Sequence, residues 1–335
     1  MAALPKIELH IHLEGSVRPG TMSCLSVQRL GPNGPLAPGW EETYYTFTDF
    51  AGYMAQLTPR FPGSADEYAC IARECFEDLA SQNVVYTEVS VDGRVRHADQ
   101  EEAFWQYAEA LEHERRGAED RLGIRINFIL ALMRTLSVKS AMLRVQLAIR
   151  ARDRGFGVVG IDLHGDESRT VAARFAGAFA LAREHGLGVR AHAGEARGAE
   201  SVREAIEVLG VQRIDHGVRA LEDPSLLERL RRGDILLEIA PTSNVRTAIV
   251  PNLKSHPVRR LYDLGVPLTV SSDDPLPFFT NLIREYRLLV DEFGFTRDDL
   301  LCITRNAAHH AFLPEAERVA LAARIEADYG ASLES

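Results

Sequence analysis

Short runs rich in valine, isoleucine and leucine recur along the chain and alternate with longer stretches of helical pattern. Such runs are typical of β-strands, and the stretches between the later ones have roughly the length that a crossover between parallel strands requires. Strands are predicted at 6–11, 83–89, 124–132, 157–163, 187–191, 213–215, 235–239 and 267–270, and the later helices at 172–185, 201–209, 226–232 and 257–264.

Eight strands alternating with helices predict an α/β protein with a (β/α)8 TIM barrel. An open doubly wound sheet is the alternative, and it favours a glycine-rich phosphate loop after the first strand. No such loop follows any of the predicted strands. The barrel is therefore the preferred fold, as a single domain over residues 1–335.

A barrel takes about 250 residues, so the chain must carry additional segments. One is an insertion at 14–82, between the first two strands, and the others are C-terminal helices at 283–293, 296–305 and 314–329. The insertion is rich in aromatic residues, and its 40–61 segment could form a mobile lid over a pocket or simply anchor the insertion to the outer helices. The aromatic residues concerned are Trp40, Tyr44, Tyr45, Phe47, Phe50 and Tyr53.

Composition excludes several classes of protein. Of the 335 residues, 46% are hydrophobic and 26% charged, and no stretch approaches the roughly 20 apolar residues of a membrane span. The first residues lack the apolar core of a signal peptide, and the four cysteines form no paired motif, so we expect a cytoplasmic protein with reduced thiols. A net charge of -10 without a basic cluster disfavours nucleic acid and favours a small-molecule substrate.

Polar residues gather where the predicted strands end, and in a TIM barrel that edge carries the chemistry. His10 and His12 are two residues apart on the first strand, so their side chains point to the same face. His192 ends the fifth strand and Asp273 follows the eighth. Three imidazoles and a carboxylate suit zinc. In a protein site the pKa of zinc-bound water falls toward about 7, from about 9 for aqueous zinc.

Other residues at the same edge suit acid and base chemistry. His216 is expected either to take a proton from the attacking water or to stabilise the hydroxide, and Glu195 to donate a proton if burial raises its pKa. Asp274 precedes Pro275, and the turn there could direct it into the pocket beside Asp273. A binuclear hydrolase would need a lysine at the end of the fourth strand, and none is there, so one metal ion per chain is predicted.

Six motifs, in order along the chain, resemble the adenosine deaminase family of zinc hydrolases. They are ELHIHLEG at 8–15, GIDL at 160–163 with GDE at 165–167, HAGE at 192–195, RIDHG at 213–217, PTSN at 241–244 and SDDP at 272–275. The resemblance implies that His10, His12, His192 and Asp273 bind zinc, with Asp273 also part of the catalytic machinery.

The resemblance also implies roles around a purine. Glu195 would protonate the ring nitrogen next to the attacked carbon, and His216 would activate the water. Asp274 would bind the five-membered ring and the backbone of Gly165 the six-membered ring, with His12 beside the substrate.

Three departures from the family pattern bear on this resemblance. Glu14 lies at a substrate-binding position that touches the ribose, where members acting on adenosine usually have aspartate and branches acting on adenine or modified nucleosides more usually have glutamate. The GDE segment, in contrast, resembles the nucleoside branch. Asp215 stands where glycine is common and Ala240 where cysteine is common, and neither is expected to bear on the metal.

The resemblance therefore predicts a 6-aminopurine nucleoside deaminase that releases ammonia and the 6-oxopurine. Adenosine is the first candidate substrate, aminodeoxyfutalosine the second and adenine the third. A non-catalytic binding protein on the same barrel is the alternative from another class, and the presence of all four candidate zinc ligands disfavours it. The oligomeric state is left open.

Overall fold

Eight parallel strands form the centre of the computed structural model, which describes residues 1–30, 45–57, 63–92 and 100–331. Each strand pairs with the next in chain order, from β1 to β8. The strands are β1 (Lys6–His12), β2 (Val84–Val91), β3 (Arg125–Met133), β4 (Val158–His164), β5 (Gly188–Ala193), β6 (Arg213–His216), β7 (Leu236–Ile239) and β8 (Leu268–Val270). The predicted (β/α)8 barrel is confirmed, and every predicted strand overlaps an observed one.

Helices separate the strands and cover the outside of the barrel. Between β2 and β8 they are α4 (Glu101–Leu122), α5 (Val138–Asp153), α6 (Ala176–Glu184), α7 (Ala199–Glu204), α8 (Pro224–Leu230), α9 (Pro241–Arg246) and α10 (Val258–Asp263). After β8 follow α11 (Pro275–Phe278), α12 (Leu282–Phe293), α13 (Arg297–His310) and α14 (Glu315–Ala331), which confirms the predicted C-terminal helices. Thr296 and Asp299 form a capping box at the start of α13.

The barrel closes between β8 and β1 through a short seam. Only an isolated parallel bridge joins the two edges among the described residues, between Ile11 and Asp273. The His12 amide donates to the Asp273 carbonyl at 2.9 Å, and the Asp273 amide donates to the His10 carbonyl at 3.0 Å. The seam that closes the barrel is therefore built from residues that the sequence analysis assigned to the metal site.

The two faces of the strands have opposite character. Side chains directed at the helices are apolar and buried, as Ile7, Leu9 and Ile11 illustrate on β1. Between them, Glu8 and His10 point into the barrel and are fully buried as well. The lumen is thus polar, and it requires internal ion pairs to compensate for the loss of water.

The insertion between β1 and β2 contributes α1 (Pro19–Leu30), α2 (Phe50–Leu57) and α3 (Ala65–Ser81). The Tyr53 ring lies 5.0 Å from that of Phe278 on α11, and the Phe47 ring lies 6.0 Å from the same ring. These aromatic contacts attach the insertion to the loop after β8. Trp40 and Tyr44 lie outside the described residues.

Over the described ranges, no helix combines the length and the apolar character needed to cross a bilayer.

The C-terminal segment packs closely against Gly188 of β5 at the bottom of the barrel. A Cβ at this position would lie 2.2 to 2.4 Å from ring atoms of Phe312, whose ring also lies 3.7 Å from the Arg213 guanidinium. We expect Gly188→Ala to lower the free energy of unfolding by about 1–3 kcal/mol, because the ring must leave that contact. Gly177→Ala, on the exposed face of α6 with nothing within 4 Å, should instead raise it by about 0.5–1 kcal/mol. Denaturant unfolding measures both, and equal effects would contradict the packing argument.

Candidate active site

A pocket opens at the carboxyl ends of the strands, where the sequence analysis expected it. Its described lining contains all but one of the predicted site residues; His10 lies beneath it, against Asp273. The lining residues are His12, Glu14, Phe50, Tyr53, Met54, Asp92, Met133, His164, Gly165, His192, Glu195, His216, Asp273 and Asp274.

Four side chains predicted as metal ligands converge at the floor of this pocket. Asp273 Oδ1 lies 3.2 Å from His10 Nε2 and 3.3 Å from His12 Nε2. His12 Nε2 and His192 Nε2 are 3.3 Å apart. Ligand bonds of about 2.0–2.2 Å in tetrahedral geometry place neighbouring ligand atoms about 3.3–3.6 Å apart. These three separations suit ligand atoms of one zinc ion. Among the described residues, the compact group of four whose ligand atoms all lie within 4.8 Å of one another consists of His10, His192, His216 and Asp273.

His10 provides a second observation in favour of a metal. Both of its ring nitrogens are buried, and neither makes a hydrogen bond of acceptable geometry. A buried polar atom without a partner is costly, and a metal ion would satisfy Nε2. His216 also approaches this group, with Nε2 3.9 Å from Asp273 Oδ2. The donor set of nitrogen and carboxylate oxygen suits zinc.

The Nδ1 atoms of two candidate ligands, His10 and His192, face the carboxylate of Asp215. Asp215 Oδ1 lies 3.5 Å from His10 Nδ1, and Asp215 Oδ2 lies 3.2 Å from His192 Nδ1. Asp162 approaches His192 Nδ1 as well, at 3.3 Å. A carboxylate on Nδ1 keeps the proton there and leaves Nε2 free to bind a metal. The sequence analysis expected Asp215 not to bear on the metal, whereas in the structure its carboxylate lies against the Nδ1 atoms of two candidate ligands.

Asp215 is itself held by the ion pairs of the lumen. Arg190 Nε lies 3.4 Å from Asp215 Oδ2, and Arg190 Nη1 lies 3.1 Å from a carboxylate oxygen of Glu238. Glu238 in turn pairs with Arg213 at 2.7 Å. All of these side chains are fully buried. The charge that orients the histidines is thus compensated within the barrel.

Two residues of the site have left-handed backbone conformations that side chains rarely adopt. His216 has φ of 67° and Asp273 has φ of 62°. His216 is the last residue of β6, and Asp273 is itself part of the seam. Such conformations cost about 1–2 kcal/mol and concentrate at functional sites.

Glu195 is buried beside His216, with Oε1 3.5 Å from His216 Nε2. Burial raises the pKa of Glu195 well above its ordinary value, which favours the protonated form that an acid requires. The backbone that carries it is held by Glu167, which accepts hydrogen bonds from the amides of Glu195 and Arg197 at 3.2 and 3.0 Å. Glu167 belongs to the GDE motif, and the sequence analysis gave it no role.

Glu14 is buried at the opposite wall, below the insertion. Its Oε1 accepts hydrogen bonds from the Tyr68 hydroxyl at 2.9 Å and from the Asp92 amide at 3.0 Å. Burial, followed by the charge of Asp92, raises the pKa of Glu14. Arg144 Nη1 lies 2.5 Å from Asp92 Oδ1 and compensates part of the acidic charge. This wall is therefore acidic and hydrogen-bonded.

Asp274 also reaches the pocket, as the turn before Pro275 suggested. The Tyr53 hydroxyl of the insertion donates a hydrogen bond to its Oδ2. A Cβ on Gly15 would come 1.6 Å from Asp274 Oδ1, so only glycine permits this approach. Residues of the predicted lid therefore line the pocket, while its mobility stays a prediction.

The sequence analysis missed several lining residues. Asp92 directly follows β2, and Met133 is the last residue of β3. The predicted second strand stopped at residue 89, two residues before the observed end of β2, and Asp92 was therefore not recognised as a residue at a strand end. His164, which ends β4, stacks on His12 with ring centroids 5.3 Å apart. Met54 comes from α2, and nothing in its local sequence signals a pocket.

The remaining histidines are not part of the described pocket lining; His310 is half-buried and contacts the carbonyl oxygens of Asn306 and Gly233. Those at 113, 185 and 309 are exposed, and the one at 97 lies outside the described residues. His256 is buried; it accepts a hydrogen bond from the Val258 amide at the start of α10, and it also contacts Asn244.

Comparison with known proteins agrees with this geometry. The sequence profile of the family described as Adenosine deaminase matches residues 5–328. The chain belongs to the adenosine deaminase family. The family prediction is confirmed, and with it the assignment as a hydrolytic deaminase acting on an aminopurine.

Individual proteins and solved structures resemble the chain over nearly its whole length. A protein of Rhizobium rhizogenes named adenine deaminase is 36% identical over 327 residues, which are 96% of this chain and 99% of that one. An amidohydrolase from Burkholderia ambifaria, solved with bound zinc, has a TM-score of 0.88 at 26% identity and covers 99% of this chain and 92% of its own. An Arabidopsis N6-mAMP deaminase has a TM-score of 0.84 at 27% identity, covering 97% and 98%.

The left-handed backbone at position 216 can be tested by comparing two substitutions in metal-free protein. We expect His216→Gly to be more stable than His216→Ala by about 1 kcal/mol, because glycine adopts the positive φ without steric cost. At His192, which lies in β5 and lacks a positive φ, the order should reverse. Chemical denaturation of the four variants measures the differences, and the same order at both positions would contradict the interpretation.

Proposed function

We propose that this member of the adenosine deaminase family is a zinc-dependent deaminase of 6-aminopurines, with adenine as its first substrate. The observation that carries the proposal is the convergence of four metal-binding atoms, three of whose separations are 3.2–3.3 Å, at a pocket that also holds a buried carboxyl group. Zinc bound to His10, His12, His192 and Asp273 would supply a Lewis acid that lets water attack a carbon near neutral pH.

The chain's own groups supply the rest of the chemistry. Glu195, kept protonated by burial, can donate to the ring nitrogen beside the attacked carbon as the double bond is lost. Asp274 offers a carboxyl oxygen to the five-membered ring, and Gly165 offers its backbone to the six-membered ring. Aromatic and methionine side chains of α2 cover the pocket and limit the access of bulk water.

The choice of adenine over a nucleoside reverses the order predicted from the sequence. Two observations support it: full-length relatives at 33–36% identity are named adenine deaminase, and Glu14 lines the pocket. A carboxylate there can accept the imidazole-ring N–H of a free base, which a sugar replaces in a nucleoside. The described lining also includes five carboxyl groups and neither lysine nor arginine, which disfavours a phosphate group. Deamination of a nucleoside stays a prediction.

A substrate panel tests this order. Zinc-loaded protein is mixed with adenine, adenosine, aminodeoxyfutalosine and AMP, and loss of the 6-aminopurine absorbance is followed. We expect kcat/KM to be highest for adenine, and Glu14→Asp to shift the ratio of adenosine to adenine by about tenfold toward adenosine, which corresponds to 1.4 kcal/mol. A wild-type preference for adenosine would overturn the choice of substrate, and turnover of none of the four would overturn the proposed function.

Glu195→Gln tests the proton donor. The amide keeps the shape of the side chain but cannot transfer a proton, so we expect kcat for adenine to fall by about 10²- to 10⁴-fold. Zinc content, measured by atomic emission, should stay at one per chain. Glu112→Gln is the matched control, because this glutamate pairs with Arg115 and Arg116 on the outer helix α4 and should leave kcat unchanged. A fully active Glu195→Gln enzyme would exclude Glu195 as the donor.

A further inference from the structure

His216 is connected to a second buried histidine through one amide side chain. Asn244 on α9 places Nδ2 3.0 Å from His216 Nδ1 and Oδ1 3.2 Å from His256 Nε2. His216 and Asn244 are at most 1% exposed and His256 is 6% exposed. Since water has little access to this path, the protein groups decide where its protons lie.

The orientation of the path is set at its outer end by the backbone. The Val258 amide lies 3.2 Å from His256 Nδ1, and a backbone N–H can only donate. Burial lowers the pKa of His256 to about 3, so the ring is neutral and carries one proton. With Nδ1 accepting, that proton is on Nε2.

Each following group then has one possible orientation. His256 Nε2–H donates to an oxygen, so Oδ1 of Asn244 faces His256 and the amide NH₂ faces His216. The NH₂ group donates to His216 Nδ1, which must therefore be unprotonated. The remaining proton of a neutral His216 ring is on Nε2, which lies 3.5 Å from Glu195 Oε1 and 3.9 Å from Asp273 Oδ2.

We infer that His256 and Asn244 are positioning residues that fix the tautomer of His216, so that His216 presents an Nε2–H donor to the pocket. The sequence analysis left two roles open for His216, and this tautomer selects one of them. A neutral ring with Nε2–H cannot take a proton from the attacking water at that nitrogen. The Nε2–H group can instead donate a hydrogen bond to the oxygen of the attacking water and stabilise negative charge that develops on that oxygen.

The tautomer is a property of the folded chain, and only its consequence for turnover rests on the proposed function. It can be read in protein labelled with ¹⁵N at histidine, loaded with zinc near pH 7, from long-range ¹H–¹⁵N correlations. Loss of signals in His216→Gln identifies the ring. We expect Nε2 of His216 to be protonated and Nδ1 to be bare. A wild-type ring protonated at Nδ1 would overturn the inference whether or not the protein turns over a purine.

Asn244→Asp provides the kinetic test with little change of shape. Its carboxylate can only accept, so we expect a proton on His216 Nδ1, a fall in kcat for adenine of at least about tenfold and little change in KM. Asn252→Asp is the matched control, since Asn252 caps the short helix Leu253–Ser255 outside the path and aspartate can do the same. It should leave both the tautomer and kcat as in the wild type.

Two substitutions at His256 distinguish a positioning role from a merely structural one, because only one of them keeps an N–H donor. Glutamine can reach Asn244 with an N–H donor, whereas leucine fills the same volume without one. We expect His256→Gln to keep the wild-type tautomer of His216 and most of kcat, and His256→Leu to lose both. If Asn244→Asp or His256→Leu retains the wild-type tautomer, the path does not set it.

Discussion

The site depends on one buried carboxylate, that of Asp215, which lies between a guanidinium and two imidazoles. Its oxygens are 3.4 Å from Arg190, 3.5 Å from His10 and 3.2 Å from His192. Without the arginine, a buried negative charge would be costly. Without the carboxylate, His10 Nδ1 would lose this neighbour, whereas His192 Nδ1 would keep Asp162 at 3.3 Å. The ion pairs in the lumen therefore support the candidate metal site directly above them.

Asp273 has two roles at the seam of the barrel. Asp273 closes the sheet with its backbone and faces the histidines with its side chain. It does so from a left-handed conformation, at φ of 62°, which lets the chain leave β8 and turn at once toward β1. Ser243 donates to the second carboxylate oxygen at 2.7 Å and limits its rotation. Because Asp273 belongs to both the seam and the candidate site, a change in the closure of the barrel also changes the geometry of the site.

The walls of the pocket have a different origin from its floor. The floor is made by strand ends, whereas one wall is made by the insertion and by residues that it contacts, including the pairs Tyr53 with Asp274 and Tyr68 with Glu14. TIM-barrel enzymes vary their specificity through such loops while the barrel stays the same. This separation explains why the family and its chemistry are easier to read from the sequence than the substrate is.

The periodic pattern of polar and apolar residues predicts much of the fold of this protein. Alternating polar and apolar positions in β1 place His10 and His12 on one face, and the recurrence of strands and helices predicts the barrel and the edge where its polar residues meet. Those features are local, because they follow from side-chain direction within single elements.

What only the tertiary structure decided involves contacts between distant parts of the chain. Asp215 looked unrelated to the metal because its neighbours in space, His10 and His192, come from other strands. Likewise, the path from His256 through Asn244 depends on how α9 and the segment before α10 pack against His216 of β6. A residue type at a strand end can be recognised from sequence, but the nitrogen that carries its proton is set by long-range hydrogen bonds that no local pattern encodes.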